Sequence, residues 1–347
     1  RFGMSEVALM NANEQRRSVS VLVAAVGLAV LVVSGCMVGP NYHRPQPTVP
    51  TTWVGVAETP TGQPSVATAQ PADLTQWWRQ FNDPTLTALV EEAVKTNLDL
   101  RIAEARLRQA RATRGVAVGG LWPAVTASGS YQRLHMAGAM PDDQQQNLYQ
   151  AGLDAVWELD LFGGRRRNVE SANANIQAAI ENIRDVQVSL IAEVALNYIQ
   201  LRGFQQEIVI AQNNLKAQQH TAEITHKRLN VGFASALDVA NADSDVATTE
   251  SQIPVFETAA QQSIYALGVL LARPPADLLK QLSPTGNLPS IPAQVPAGLP
   301  SDLLRRRPDI RESEAQLHAA TGQIGVAIAD HRDQDRNGAP LFVLIHQ

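Results

Sequence analysis

The sequence predicts an α+β chain of long, closely packed helices and one β-hairpin. Three observations carry that reading. Hydrophobic residues make up 45% of the 347, yet aromatic residues only 5%. Cores must then be filled by Ala, Val, Leu and Ile rather than by rings. Within residues 165–230 two seams spaced by seven, Ile176 to Phe204 and Ile180 to Ile208, are apolar except at Asn197 and Gln187, the pattern of a long helix packed along a seam. Residues 149–161 alternate apolar and polar, the pattern of a strand with two unlike faces.

The same arithmetic excludes several function classes. A net charge of −5 lacks the basic excess of a nucleic-acid binder. One cysteine rules out an intramolecular disulfide framework and a cysteine-rich zinc site. The seven histidines are scattered, and His220 and His226 stand six apart, not the four that puts two ligands on one helical face. There is no G-x-S-x-G, so no catalytic residue and no metal site is assigned.

Residues 1–35 read as a lipoprotein signal peptide. Arg16 and Arg17 precede an apolar run, Val19 to Val33, of fifteen residues, short for a spanning helix of ~20. Val33-Ser34-Gly35-Cys36 matches the bacterial lipobox, which makes Cys36 the lipidation site and first mature residue. A buried core helix would carry polar positions at helical period instead. Met37 follows where Asp would signal inner-membrane retention, which favours the outer membrane. Residues 36–75 hold seven prolines and are expected to form an extended, lipidated tether.

Asp83-Pro84 opens a helix as N-cap and first-turn proline. Apolar residues at three- and four-residue spacing carry it to about Val118, and Gly119-Gly120 with Pro123 stop it. The hairpin is placed at 123–161. Its second strand sets Tyr149, Ala151, Leu153, Ala155, Trp157, Leu159 and Leu161 on one face, with Val156 the exception on the other. The length suits a tilted transmembrane strand of ~9–11 residues plus ends. Alternation alone does not separate that from a half-buried soluble strand. Arg165-Arg166-Arg167 reads as a solvated basic cluster where strand turns into helix, and Gly163-Gly164 lack the frame of a phosphate loop.

The long helix runs over 165–230, where Val231-Gly232-Phe233 breaks it. Ser235 begins another, placed at 237–271 and ended by Arg273-Pro274-Pro275. Segments 85–119 and 237–271 are each 35 residues and 165–230 is 66, so two short struts stacked end to end match one long one. Residues 99–118 and 309–328 share nine identities without gaps: Asp99, Arg101, Glu104, Ala105, Leu107, Ala110, Gly115, Val116 and Ala117 recur 210 positions later. The chain thus divides into a first repeat (76–290), the start of a second (291–330), and an aberrant tail (331–347) without an alternating strand.

Four stretches carry a resemblance. They are Cys36-Met37-Val38-Gly39-Pro40-Asn41-Tyr42, then Trp77-Trp78 through Phe81-Asn82-Asp83-Pro84. Trp157-Glu158-Leu159-Asp160-Leu161-Phe162-Gly163 and Leu304-Arg305-Arg306-Arg307-Pro308-Asp309-Ile310-Arg311 complete the set. Over about 36–330 the sequence resembles the TolC-like outer-membrane efflux factors, in the lipoprotein branch called NodT. The resemblance implies a long periplasmic α-helical barrel segment plus a transmembrane β-hairpin contributing to a trimeric β-barrel. It further implies a homotrimer in the outer membrane, lipid-anchored, joined to a periplasmic adaptor (membrane fusion protein) and an inner-membrane RND-type pump. The expected activity is efflux of drugs or other small solutes, with no cofactor beyond the lipid on Cys36. Val231, Gly232, Phe233 and Ser235 match the adaptor-docking tip. Asp154, Glu158 and Asp160 would face the lumen. The acidic gate residues of the family's second tip have no counterpart.

The second hairpin and long helix of the family are missing after Asp330, so the second repeat reads as truncated. Two strands per chain would give a narrow six-strand trimer. Two functions therefore stay in view. One is a channel component present as an incomplete copy. The alternative is a lipid-anchored periplasmic coiled-coil scaffold, or a fragment without a pore.

Overall fold

The computed structural model describes residues 37–46, 66–68, 75–135, 145–292, 294–296, 304–337 and 342–346. The signal at 1–35 and Cys36 lie outside the described residues, as does most of the tether. In chain order the elements are β1 (Val66–Thr68), a 3-10 helix (Trp77–Phe81), α1 (Pro84–Thr96), α2 (Leu98–Gly119), β2 (Ala124–His135) and β3 (Gln145–Glu158). There follow α3 (Gly164–Asn230), α4 (Ala236–Leu270), α5 (Pro275–Leu282), β4 (Gln294–Pro296), α6 (Pro308–Asn337) and β5 (Phe342–His346). Two compact units emerge: Arg1–Pro45 with Arg108–Ala178 and Ser313–Gln347, and Gln46–Leu107 with Ala179–Glu312.

The second of these units holds the apolar core. Leu86, Leu89 and Val90 of α1 meet Leu190, Val194 and Leu201 of α3, Leu267 of α4, and Leu278 and Leu282 of α5, all nearly without exposure. Among the described residues Tyr198 and Trp78 are the only buried aromatic side chains, and Leu, Val, Ile and Ala make up the rest of this core. Asp83 caps α1 as its sequence position demands, accepting from Thr85 N at 2.8 Å and Leu86 N at 3.0 Å. Its other oxygen accepts from Tyr198 Oη at 2.8 Å.

The single helix expected over 85–118 is two helices. Asn97 has ψ 136 and breaks the run. Its side chain donates to Leu270 O at 2.9 Å and accepts from Leu100 N at 2.9 Å. Thr96 Oγ1 donates to Leu271 O at 2.7 Å. The joint between α1 and α2 therefore caps the C-terminal carbonyls of α4, which otherwise lack partners. The C-terminal end of α4 closes with Ala272 at φ 52, a left-handed residue. Two features lie outside the sequence reading: α5, whose first-turn Pro275 is read there only as a stop for the preceding helix, and the parallel pairing of β1 with β4.

In the other unit, β2 and β3 pair antiparallel with Tyr131 opposite Tyr149 and Ala127 opposite Leu153. That register puts Val125, Ala127, Gly129 and Tyr131 on one face with Tyr149, Ala151, Leu153 and Ala155. Thr126, Ser128, Ser130 and Gln132 share the other with Gln150, Gly152 and Asp154. Leu159 and Leu161, expected in the strand, lie beyond its end at Glu158. The tail beyond Asp330 continues α6 to Asn337 and then supplies β5, which pairs antiparallel with β3. Its consecutive apolar residues Phe342 to Ile345 hide a strand from any test of alternation.

Candidate functional site

Two places gather the residues singled out in the sequence. The first is the turn between α3 and α4. Gly232 adopts φ 80, the left-handed conformation that glycine enters without strain. Gly232 N donates to Leu229 O at 2.9 Å and Phe233 N donates to Arg228 O at 2.8 Å. This pair of bonds is a Schellman closure of the helix end. Ser235 then opens α4 with a reciprocal box: Asp238 N donates to Ser235 Oγ at 3.1 Å and Ser235 N to Asp238 Oδ2 at 2.8 Å. Hydrogen bonds from the Ser235 backbone and hydroxyl hold the Asp238 carboxyl below its ordinary pKa. Between these caps Val231 and Phe233 stand 66% and 85% exposed. The His226 ring lies 3.0 Å from the Asp243 carboxylate and ties the two helices just above the turn.

The second place is the passage from β3 into α3. Asp160 is the cap of α3. Its two oxygens accept from Arg165 N and Arg166 N, each at 3.0 Å, and Oδ2 also from Arg166 Nε at 3.1 Å. Glu158 pairs with Arg165. Asp154 lies on the polar face of β3, opposite Thr126. The structure thus brings Glu158 and Asp160 onto the arginine run and leaves Asp154 farther along the strand.

The arginines are not the uniformly solvated cluster expected. Arg165 and Arg166 face carboxylates, while Arg167 is 1% exposed. Its charge is satisfied by Glu170 Oε2 at 2.7 Å and by three acceptors in residues 38–41. A run of like charges reads as surface, and only the fold separates its members. Among the described residues no group of three or more His, Cys, Asp or Glu is placed to hold a metal ion. No helix among them is long and apolar enough to cross a membrane.

The family model described as "Outer membrane efflux protein" matches residues 89–273. The chain belongs to this family. The matched span of the efflux protein runs from α1 through β2, β3, α3 and α4, and so contains both places described above. Nodulation protein T of Rhizobium leguminosarum bv. trifolii is 33% identical over 300 residues, 86% of this chain and 62% of that protein. The toluene efflux pump outer membrane protein TtgC of Pseudomonas putida is 35% identical over 312 residues, 88% of this chain and 63% of its own length. The chain therefore spans about three fifths of these relatives. Among solved structures the outer-membrane channel OprN superposes with a TM-score of 0.74 at 36% identity, covering 90% of this chain and 72% of that one. The Campylobacter jejuni CmeC channel shares the fold at 20% identity and a TM-score of 0.73, covering 90% and 70%.

Sequence reasoning missed two residues of consequence. Asn97 sits in an unbroken helical period, so nothing but its own type hinted at a joint. Arg167 was hidden among like charges. The signal that could have found it is Gly325, a glycine inside an otherwise good helix, which marks close approach by a neighbour.

Proposed function

We propose that the chain is the outer-membrane channel component of a tripartite efflux system that exports drugs or other small solutes from the periplasm. The hairpin carries this reading. Over 125–131 and 149–155 its register sets Val125, Ala127, Tyr131, Tyr149, Ala151, Leu153 and Ala155 on one face and mostly polar residues on the other, and Tyr149, Leu153 and Val125 are exposed. A sheet with such a face needs a cover of lipid or protein, and in lipid it must close into a barrel. Closure comes from a homotrimer. Asp154, Glu158 and Asp160 line the lumen, the last two neutralised by Arg165 and Arg166. The turn at Val231, Gly232, Phe233 and Ser235 docks a periplasmic adaptor, which joins the channel to an RND-type pump. Cys36 carries a covalent lipid, and the chain performs no catalysis. The likeness to a toluene efflux protein supports the substrate class.

Planar-bilayer recording of the purified protein tests the reading. Discrete trimer-dependent conductance is expected; a delipidated soluble monomer without conductance favours the scaffold alternative. At the turn, Gly232→Asp in a relative is expected to abolish drug export while trimers persist, because an aspartate there is both strained and charged. Unchanged resistance removes the docking assignment. Cys36→Ser is expected to abolish labelling by radioactive palmitate, and persistent labelling refutes the anchor.

A further inference from the structure

Residues 37–46 do not behave as a passive tether. Val38 N donates to Phe162 O at 3.0 Å, which starts the segment at the foot of the hairpin. Arg167 of α3 then reaches it with three bonds: Nε to Val38 O at 3.1 Å, Nη2 to Gly39 O at 3.3 Å, and Nη2 to Asn41 Oδ1 at 2.8 Å. Gly39 lies so close to α6 that a Cβ would stand 2.6 Å from Gly325 Cα, and its φ of 91 also requires glycine. Tyr42 stacks on His318 with ring centroids 4.4 Å apart and planes 17° from parallel. Its hydroxyl donates to Glu314 Oε1 at 3.1 Å, and Arg44 pairs with Glu314 Oε2 at 2.7 Å.

Burial makes Arg167 dependent on this segment. A guanidinium removed from water needs its donors met. Of the four acceptors it finds, only Glu170 belongs to the helices. The remaining three belong to the segment. The segment in turn spends backbone carbonyls, a glycine conformation and a ring on the seat. This is the anatomy of a peptide and its receptor, with shape, charge and stacking matched at successive residues. The stretch Val38-Gly39-Pro40-Asn41-Tyr42, which the efflux reading leaves without a task, thus has contacts at Val38, Gly39, Asn41 and Tyr42.

We propose that the groove formed by the start of α3 and by α6 is a peptide-recognition site. Its ligand is the chain's own segment 37–46; Arg167 is the positioning residue that holds the Val38 and Gly39 carbonyls and the Asn41 side chain, and His318 with Glu314 receives Tyr42. The segment is a tethered, exchangeable ligand, and its occupancy holds the start of α3 and α6 as one surface.

The test uses the full chain with a protease recognition sequence inserted between residues 46 and 66, cut after purification. The probe is a fluorescent synthetic peptide of residues 37–46, followed by anisotropy. Saturable binding to the cut chain is expected, competed by unlabelled peptide and absent from the uncut chain. Peptides carrying Gly39→Val, Asn41→Ala or Tyr42→Ala are each expected to bind at least tenfold more weakly, and these variants leave the receptor's folding untouched. In the receptor, Arg167→Met is expected to lose binding, with Arg167→Lys recovering part of it. Binding equal for all the peptides, or no binding by a cut chain that has demonstrably released its own segment, overturns the proposal.

Discussion

Helices α2 and α6 carry the same nine residues at the same spacing, and the structure treats them differently. Arg311 of α6 pairs with Glu181 at 2.7 Å and Glu314 holds both Tyr42 and Arg44. Their counterparts Arg101 and Glu104 in α2 are exposed and make no side-chain bond among the described residues. Gly325 lies against Arg167, with 2.8 Å from a Cβ to Arg167 Cγ, whereas Gly115 has nothing within 4 Å. Among the described residues the repeated Arg, Glu and Gly meet close neighbours in α6 and not in α2, which is held through other side chains such as Arg114, whose Nε donates to Asn173 Oδ1 at 2.6 Å. Identity of sequence sets what a helix can offer; the neighbours decide what it does.

The largest expected effect breaks this contrast at the glycines. Gly325→Val places branched carbon inside the space of a buried guanidinium and is expected to cost about 2–3 kcal/mol. Gly115→Ala is expected to be neutral or to gain up to ~1 kcal/mol, since alanine favours helix. Chemical unfolding of the purified variants in detergent measures both. Equal shifts would show the two helices to be equivalent.

A smaller difference is expected at the arginines. Arg311→Ala leaves Glu181, a 5% exposed residue, with Arg184 alone, at a cost of about 2 kcal/mol. Arg101→Ala should stay within ~0.5 kcal/mol. The same unfolding series decides it, and a similar loss for Arg101 would mean that α2 has a partner as demanding as that of α6.

Acid gives the third and smallest test. Burial opposes the charge of Glu170, yet hydrogen bonds from Arg167 and His318 outweigh it and hold its carboxyl below the ordinary range. In acid the unfolded chain then binds more protons than the folded one, so stability rises with pH through that window. The contribution is complete above the ordinary carboxylate pKa and is lost as pH falls through the lowered one. Glu170→Gln is expected to flatten the acid limb of the denaturation midpoint against pH. An unchanged limb would remove Glu170 from the α6 contact network.

Much of the α2–α6 contrast was half legible. The duplication could be read from letters alone, as could the hairpin face, the long helix and the turn, where Gly232 and the Ser235–Asp238 spacing each have a local physical cause. Local chemistry is what a sequence displays. The break at Asn97 was illegible because its reason, the open carbonyls of Leu270 and Leu271, lies 173 residues away. The same distance problem hid Arg167, three of whose four acceptors are 126 to 129 residues upstream. Helix boundaries shifted by a residue or so, as fraying ends do.

The turn between α3 and α4 has a consequence of its own. Its two caps consume the carbonyls of Arg228 and Leu229 and the amides of Ser235 and Asp238. Beside these caps stand the apolar side chains of Val231, Phe233 and Leu237, each more than half exposed. In the docking role proposed for this turn, recognition would rest on the fit of these apolar side chains. Ionic strength, which weakens exposed charge pairs, leaves such a grip largely alone.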